Sequence, residues 1–145
     1  MKYLFVLTIL LSAQKECSQK PEIPLADATS QFWSGGAAAT RGTYYKMYLL
    51  LKDPSQYEFD SLWVDEKRLP VSLIKPRTPN DTAMVMANDV QGILNPMKQG
   101  EMSNSVPSEF PIKVDATGVL GYLHEGKRGY LPIPKWRVLK SVTYQ

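Results

Sequence analysis

His124 is the only histidine of the chain and Cys17 its only cysteine, so the side chains that titrate or attack most readily near neutral pH occur once each. His124 stands beside Glu125, a pairing that would make an oriented base if a serine lay within reach. No nucleophile-elbow pattern accompanies it. One histidine and one distant cysteine do not make a tetrahedral zinc set without several carboxylates. Asp53, Asp60, Asp65 and Glu66 lack the regular spacing of a calcium loop. The small-residue stretch from Gly35 to Gly42 lacks the lysine and hydroxyl pair of a phosphate loop. The residues therefore nominate no catalytic group, no metal ligand and no cofactor. The enzymatic alternative is a small hydrolase using His124 under a loop formed by residues 88–111.

Binding chemistry is better represented. Tyr44, Tyr48, Tyr57, Trp63, Tyr122, Tyr130 and Trp136 are many aromatics for a small domain, and those on wet faces suit stacking on sugar rings or filling a partner's pocket. The C-terminal segment is basic, with Lys127, Arg128, Lys135, Arg137 and Lys140 and no acid after Glu125. The expected binding surface is Tyr122, Tyr130, Lys127, Arg128, Trp136, Arg137 and Lys140, facing a protein or glycan of the cell envelope. Asp53, Glu58, Asp60, Asp65 and Glu66 make an acidic middle, and the opposed patches offer head-to-tail self-association.

These side chains need strands to position them. Thr43, Tyr45, Met47, Leu49 and Leu51 alternate with Tyr44, Lys46, Tyr48, Leu50 and Lys52, a period of two that gives one dry and one damp face. Tyr57 to Val64 and Leu69 to Ile74 flank Asp65 to Arg68 as a hairpin, and Pro70 marks its second strand as an edge. Thr82 to Ala87 is apolar on both faces and suits a central strand. Residues 88–111 lose all pattern and read as a long surface loop. Phe110, Ile112 and Val114 resume a strand. Val119 to His124 and Gly129 to Ile133 form a second hairpin, and Trp136, Val138, Lys140, Val142 and Tyr144 share one face of a last strand, with Leu139 behind. About seven or eight short strands separated by turns indicate an all-β fold, a single antiparallel β-sandwich of immunoglobulin-like type. A small antiparallel β-barrel is the alternative.

The address comes from the N-terminus. Lys2 precedes the apolar run Tyr3 to Leu11, followed by Ser12 and Ala13, which reads as a signal peptide over residues 1–13. The run is too short to span a bilayer, so no transmembrane span is expected. Residues 14–28 form an extended lead-in, and residues 29–145 the β-sandwich domain. Loss of Lys2 with the signal takes the formal charge from +3 to +2, too near neutrality for nucleic acid. Lipidation at Cys17 is the competing address, disfavoured by Gln14, Lys15 and Glu16 where branched and small residues are needed. A lone cysteine excludes an internal disulfide.

The signal ending at Ala13 and Gln14, the run Phe32, Trp33, Ser34, Gly35, Gly36, the run Arg41, Gly42, Thr43, Tyr44, Tyr45, and Phe59 to Val64 resemble a group of small secreted proteins of the Bacteroidota. The segment Gly118 to Tyr130 is similar to theirs as well. No activity is established for that group, so the resemblance implies compartment and fold alone. In such bacteria Asp60 to Leu62 and Asp81 to Ala83 resemble a short O-glycosylation signal, which implies glycans on Ser61 or Thr82.

Overall fold

The computed structural model describes residues 23–36, 40–75, 82–95 and 98–145. The signal peptide, Cys17 and most of the lead-in lie outside them. The fold is all-β: β1 (Leu25–Gly35), β2 (Thr40–Leu49), a 3₁₀ turn (Pro54–Gln56), β3 (Tyr57–Val64), β4 (Lys67–Ile74), β5 (Ala83–Asn95), β6 (Lys98–Ser103), β7 (Val106–Pro107), β8 (Gly118–His124), β9 (Lys127–Ile133) and β10 (Arg137–Tyr144). No helix among the described residues is long and apolar enough to cross a membrane.

The strands follow one path, β10-β1-β2-β5-β4-β3-β8-β9, with β6 on β5 and β7 on β4. All pairings are antiparallel except β1 with β10. The path divides at β4, whose residues 71–74 pair with β5 while residues 67–70 pair with β3. Its two halves face each other across one core. Tyr45, Met47 and Leu49 of β2 and Val85 of β5 meet Leu62 of β3, Leu120 of β8 and Leu131 and Ile133 of β9. The dry face of the alternating stretch is therefore the inner face of β2, with Met47 and Leu49 fully buried.

Four expectations are corrected. The lead-in ends sooner than residue 28: Ile23 is fully buried and β1 begins at Leu25, because Pro24 anchors the start by accepting the Leu50 N–H at 3.0 Å. Pro70 is not on an edge strand. It sits where β4 changes outer partner, between the β7 pairing at residues 67–68 and the β5 pairing at residues 71–74, so its missing N–H leaves no ladder bond unmade. Residues 88–111 are not a loop, because β5 runs on to Asn95 and β6 and β7 follow. Backbone pairing of Arg41 and Gly42 with Gln91 and Val90 holds that extension without apolar alternation. Phe110, Ile112 and Val114 do alternate half-buried with exposed neighbours, but they join no ladder.

Both hairpin turns are two residues long with positive φ, Asp65 (49°) and Glu66 (58°) in one and Glu125 (50°) and Gly126 (75°) in the other. Positive φ at both central residues is the twist that two-residue hairpins require. Polar contacts tie the halves where the first turn meets the interior. The Tyr45 hydroxyl donates to Asp65 Oδ2 at 3.0 Å, and Lys67 Nζ lies 3.0 Å from Asp89 Oδ2. Burial first, then the Asp65 charge, raises the Tyr45 phenol well above its ordinary value.

Candidate binding surface

Because Tyr45, Met47 and Leu49 point inward, Tyr44, Lys46 and Tyr48 must point outward. The ladders extend that outer face sideways. Gln31, Thr29 and Asp27 of β1 stand opposite Tyr44, Lys46 and Tyr48, and Asn88, Met86 and Met84 of β5 stand opposite them on the other side. Directly paired residues share a face, so the outer side of this half carries aromatic, thioether and amide groups, with Thr29 buried among them.

Its centre is Trp33. The residue opposite Trp33 is Gly42, and a Cβ placed there would come within 2.9 Å of indole atoms Cε2 and Cζ2. The ring therefore lies over bare backbone. Its Nε1 donates to Asn88 Oδ1 at 2.9 Å, and Tyr44 lies near-parallel beside it, with centroids 5.6 Å apart and planes 26° apart. Tyr144 of β10 meets Trp33 edge-on, at 6.4 Å and 64°. Burial raises the Tyr44 phenol above its ordinary value, with Tyr144 adding to the effect.

Charge on this face is simple. Arg137 donates to Asp27 across the β1–β10 pair. That bond holds the Asp27 carboxyl below the ordinary carboxylate range and uses the acid of the β1 row. Lys46, between Tyr44 and Tyr48, forms no salt bridge among the described residues. The arrangement presents a stacked Trp33–Tyr44 pair beside a cation and the remaining capacity of two amides.

The surface expected from sequence is dispersed. Tyr122 is 4% exposed and belongs to the core, since even-numbered residues of β8 face inward alongside Leu120. Trp136 packs on Tyr45 at 5.0 Å, at the margin of the core. Tyr130 contacts Trp63 edge-on at 6.0 Å, and Arg128 Nη1 donates to Asp60 Oδ2 at 2.8 Å. These two lie on the outer face of the β8 half. Lys127 is exposed at the tip of the second hairpin. Arg137 and Lys140 are exposed on β10, on the other half. The opposed charge patches are partly consumed within the molecule, since β3 beside β8 brings Asp60 of the acidic middle to Arg128 of the basic end.

The last strand does not present the single face expected. Between its pairs with Gln31 and Trp33, β10 advances from Leu139 to Val142, three residues against two. The extra residue swaps the alternation, so Leu139 and Val142 share the Trp33 face while Val138 is 79% exposed.

His124 stacks on Tyr57 at 4.3 Å and 15°. It sits opposite Tyr57, where β3 begins, whereas β7 pairs with Lys67 and Arg68, where β3 has ended. The strand spans roughly 20 Å, so β7 lies at the far end of β3 from His124. Ser61 is 1% exposed and accepts Arg68 Nε at 2.8 Å. It is spent inside the fold and does not present a hydroxyl for glycosylation. Thr82 is half-buried immediately before β5.

No family model matches the chain, and comparison with curated proteins and with solved structures yields no match. The surface is thus defined by its own geometry. Tyr44 and Tyr48 are legible in the sequence as wet-face aromatics, whereas Trp33, Lys46 and Asn88 do not stand out there as a group. The available signal was Trp33 nine residues before Gly42, on what prove to be two adjoining strands.

Proposed function

We propose that the protein is a non-enzymatic binding module of the cell envelope, acting outside the cytoplasm, and that its ligand is a glycan laid across Trp33 and Tyr44. The observation that supports this reading most directly is the stacked pair of half-buried rings, Trp33 and Tyr44, at 5.6 Å and 26°. The electron-rich face of an aromatic ring attracts the polarised C–H groups of a sugar. Fixed rings lose little entropy on binding, because Gly42 and Asn88 already set the indole. Lys46 and the outer amides supply directional hydrogen bonds to hydroxyl or carboxylate groups. The apolar run from Tyr3 to Leu11 supports export, and mass spectrometry of the native N-terminus, expected at Gln14 without acyl chains, checks it.

Titration of the full mature chain with envelope polysaccharides, followed by indole fluorescence and calorimetry, tests the glycan reading. Tyr44→Ala is expected to weaken binding about tenfold or more, equivalent to about 1.4 kcal/mol, and Lys46→Ala to weaken it less. Binding that neither change alters, in variants with native thermal midpoints, defeats the proposed surface. Lys127→Ala, at the exposed tip of the second hairpin, serves as a control away from the Trp33–Tyr44 pair.

A further inference from the structure

The outer face of the β8 half carries a cleft of about 310 Å³ lined by Asp60, Ser61, Arg68 and Ser108 and walled by Pro70 and Pro107. We infer that this cleft is a second binding site, for a small carboxylate bearing an adjacent O–H or N–H donor. The inference does not rest on the glycan reading, because no residue lining this cleft belongs to the Trp33–Tyr44 surface.

The cleft is organised by a buried indole. Trp63 is 8% exposed, its Nε1 donates to Ser108 Oγ at 3.1 Å, and its ring lies so close over Gly121 that a Cβ there would be 2.8 Å from Cζ3. Tyr130 closes its flank. On this fixed plane rests the Arg68 guanidinium, 5.5 Å from the ring centroid, with Nε donating to buried Ser61 at 2.8 Å. Two contacts thus fix the plane of the guanidinium and leave its two terminal nitrogens as a fork. No carboxylate among the described residues pairs with it. An arginine held this way recognises a planar carboxylate through two parallel N–H···O bonds.

Asp60 sets the second requirement. Its Oδ2 accepts Arg128 Nη1 at 2.8 Å, while Oδ1 is buried and met by no donor of the described residues. The buried Oδ1 is closed to a ligand, so the acceptor offered to the cleft is Oδ2, on a side chain 30% exposed, which keeps a lone pair beside Arg128 for a ligand that brings a donor. Two guanidinium groups against one carboxylate leave the cleft net positive, which selects an acid over a neutral polyol. Its volume of about 310 Å³ suits a small organic acid. Hydroxy acids, including single sugar acids, and free amino acids both carry the required pair of groups.

Calorimetric titration of the full mature chain with L-lactate, D-glucuronate, L-alanine, acetate and the methyl ester of glucuronate tests the inference. Saturable binding of a hydroxy or amino acid is expected, with acetate weaker and the ester absent. Tighter binding of lactate and glucuronate assigns the site to hydroxy acids, and tighter binding of alanine to amino acids. Arg68→Lys keeps the charge but removes the fork and is expected to weaken binding about tenfold. Asp60→Asn is expected to abolish the preference for lactate or alanine over acetate. The inference is overturned if no acid saturates, if acid and ester bind alike, or if Arg68→Lys with a native thermal midpoint binds as tightly as the parent.

Discussion

The indole of Trp33 lies over Gly42, its direct partner across the β1–β2 ladder. A side chain at residue 42 would also meet the Asp89 carbonyl oxygen at 2.2 Å, so both ring and neighbouring strand depend on the missing Cβ. Gly42→Ala is expected to destabilise the protein by about 1–3 kcal/mol, the usual cost of overpacking, and to lift the indole off its seat. Urea unfolding and a red-shifted tryptophan emission would register the two effects, and unchanged values for both would show that the ring is not held there.

Among the described residues Lys67 and Asp89 form the most buried side-chain ion pair, with side chains 30% and 13% exposed. Asp89 Oδ1 already lacks a donor among the described residues, so Lys67→Met strips the carboxylate of its charge partner. A loss of about 1–3 kcal/mol is expected, read as a lowered urea midpoint. Arg137→Gln, at the exposed pair with Asp27, is expected to leave the midpoint unmoved, because solvent screens that pair.

Tyr45 makes stability fall in alkali. Its folded pKa is raised above the ordinary tyrosine value by burial first and the Asp65 charge next. A raised folded pKa contributes stability that is fully present below the unfolded value and is lost as pH rises through the folded one. Midpoints measured from pH 8 to pH 11 should therefore decline above about pH 10. Tyr45→Phe should flatten that decline while lowering stability at pH 8 through the lost bond to Asp65.

The hairpin turns predict opposite signs for two glycine exchanges. Glu66 holds φ at 58° without being glycine, so Glu66→Gly is expected to stabilise by up to about 1 kcal/mol. Gly126 has φ of +75° and open space around its Cβ position. Gly126→Ala should cost about 1 kcal/mol from backbone conformation alone. Thermal midpoints moving in the same direction for both would contradict the turn geometry.

The β2 alternation, the two hairpins and the central place of β5 were legible because each rests on local periodicity or turn chemistry. Residues 88–111 read as a loop because β5 beyond Ala87 carries Asn88, Asp89 and Gln91 around a single apolar Val90 and pairs through backbone, with Asp89 buried beside Lys67. Of the two surfaces, Tyr44, Tyr130 and Arg128 were named from sequence. Trp33 and Arg68 gain their roles from Gly42, Asn88, Ser61 and Trp63, some of them distant along the chain.

The order of residues determined an all-β chain, because side chains two apart in extended backbone fall on one side whatever else is present. Only the folded structure decided which strands adjoin, and adjacency is what fixes a ring over a glycine or an arginine on an indole. Those contacts draw on strands with no local tie to one another. The parallel seat of β10 on β1, joining the C-terminal segment to Leu25–Gly35, is the clearest case.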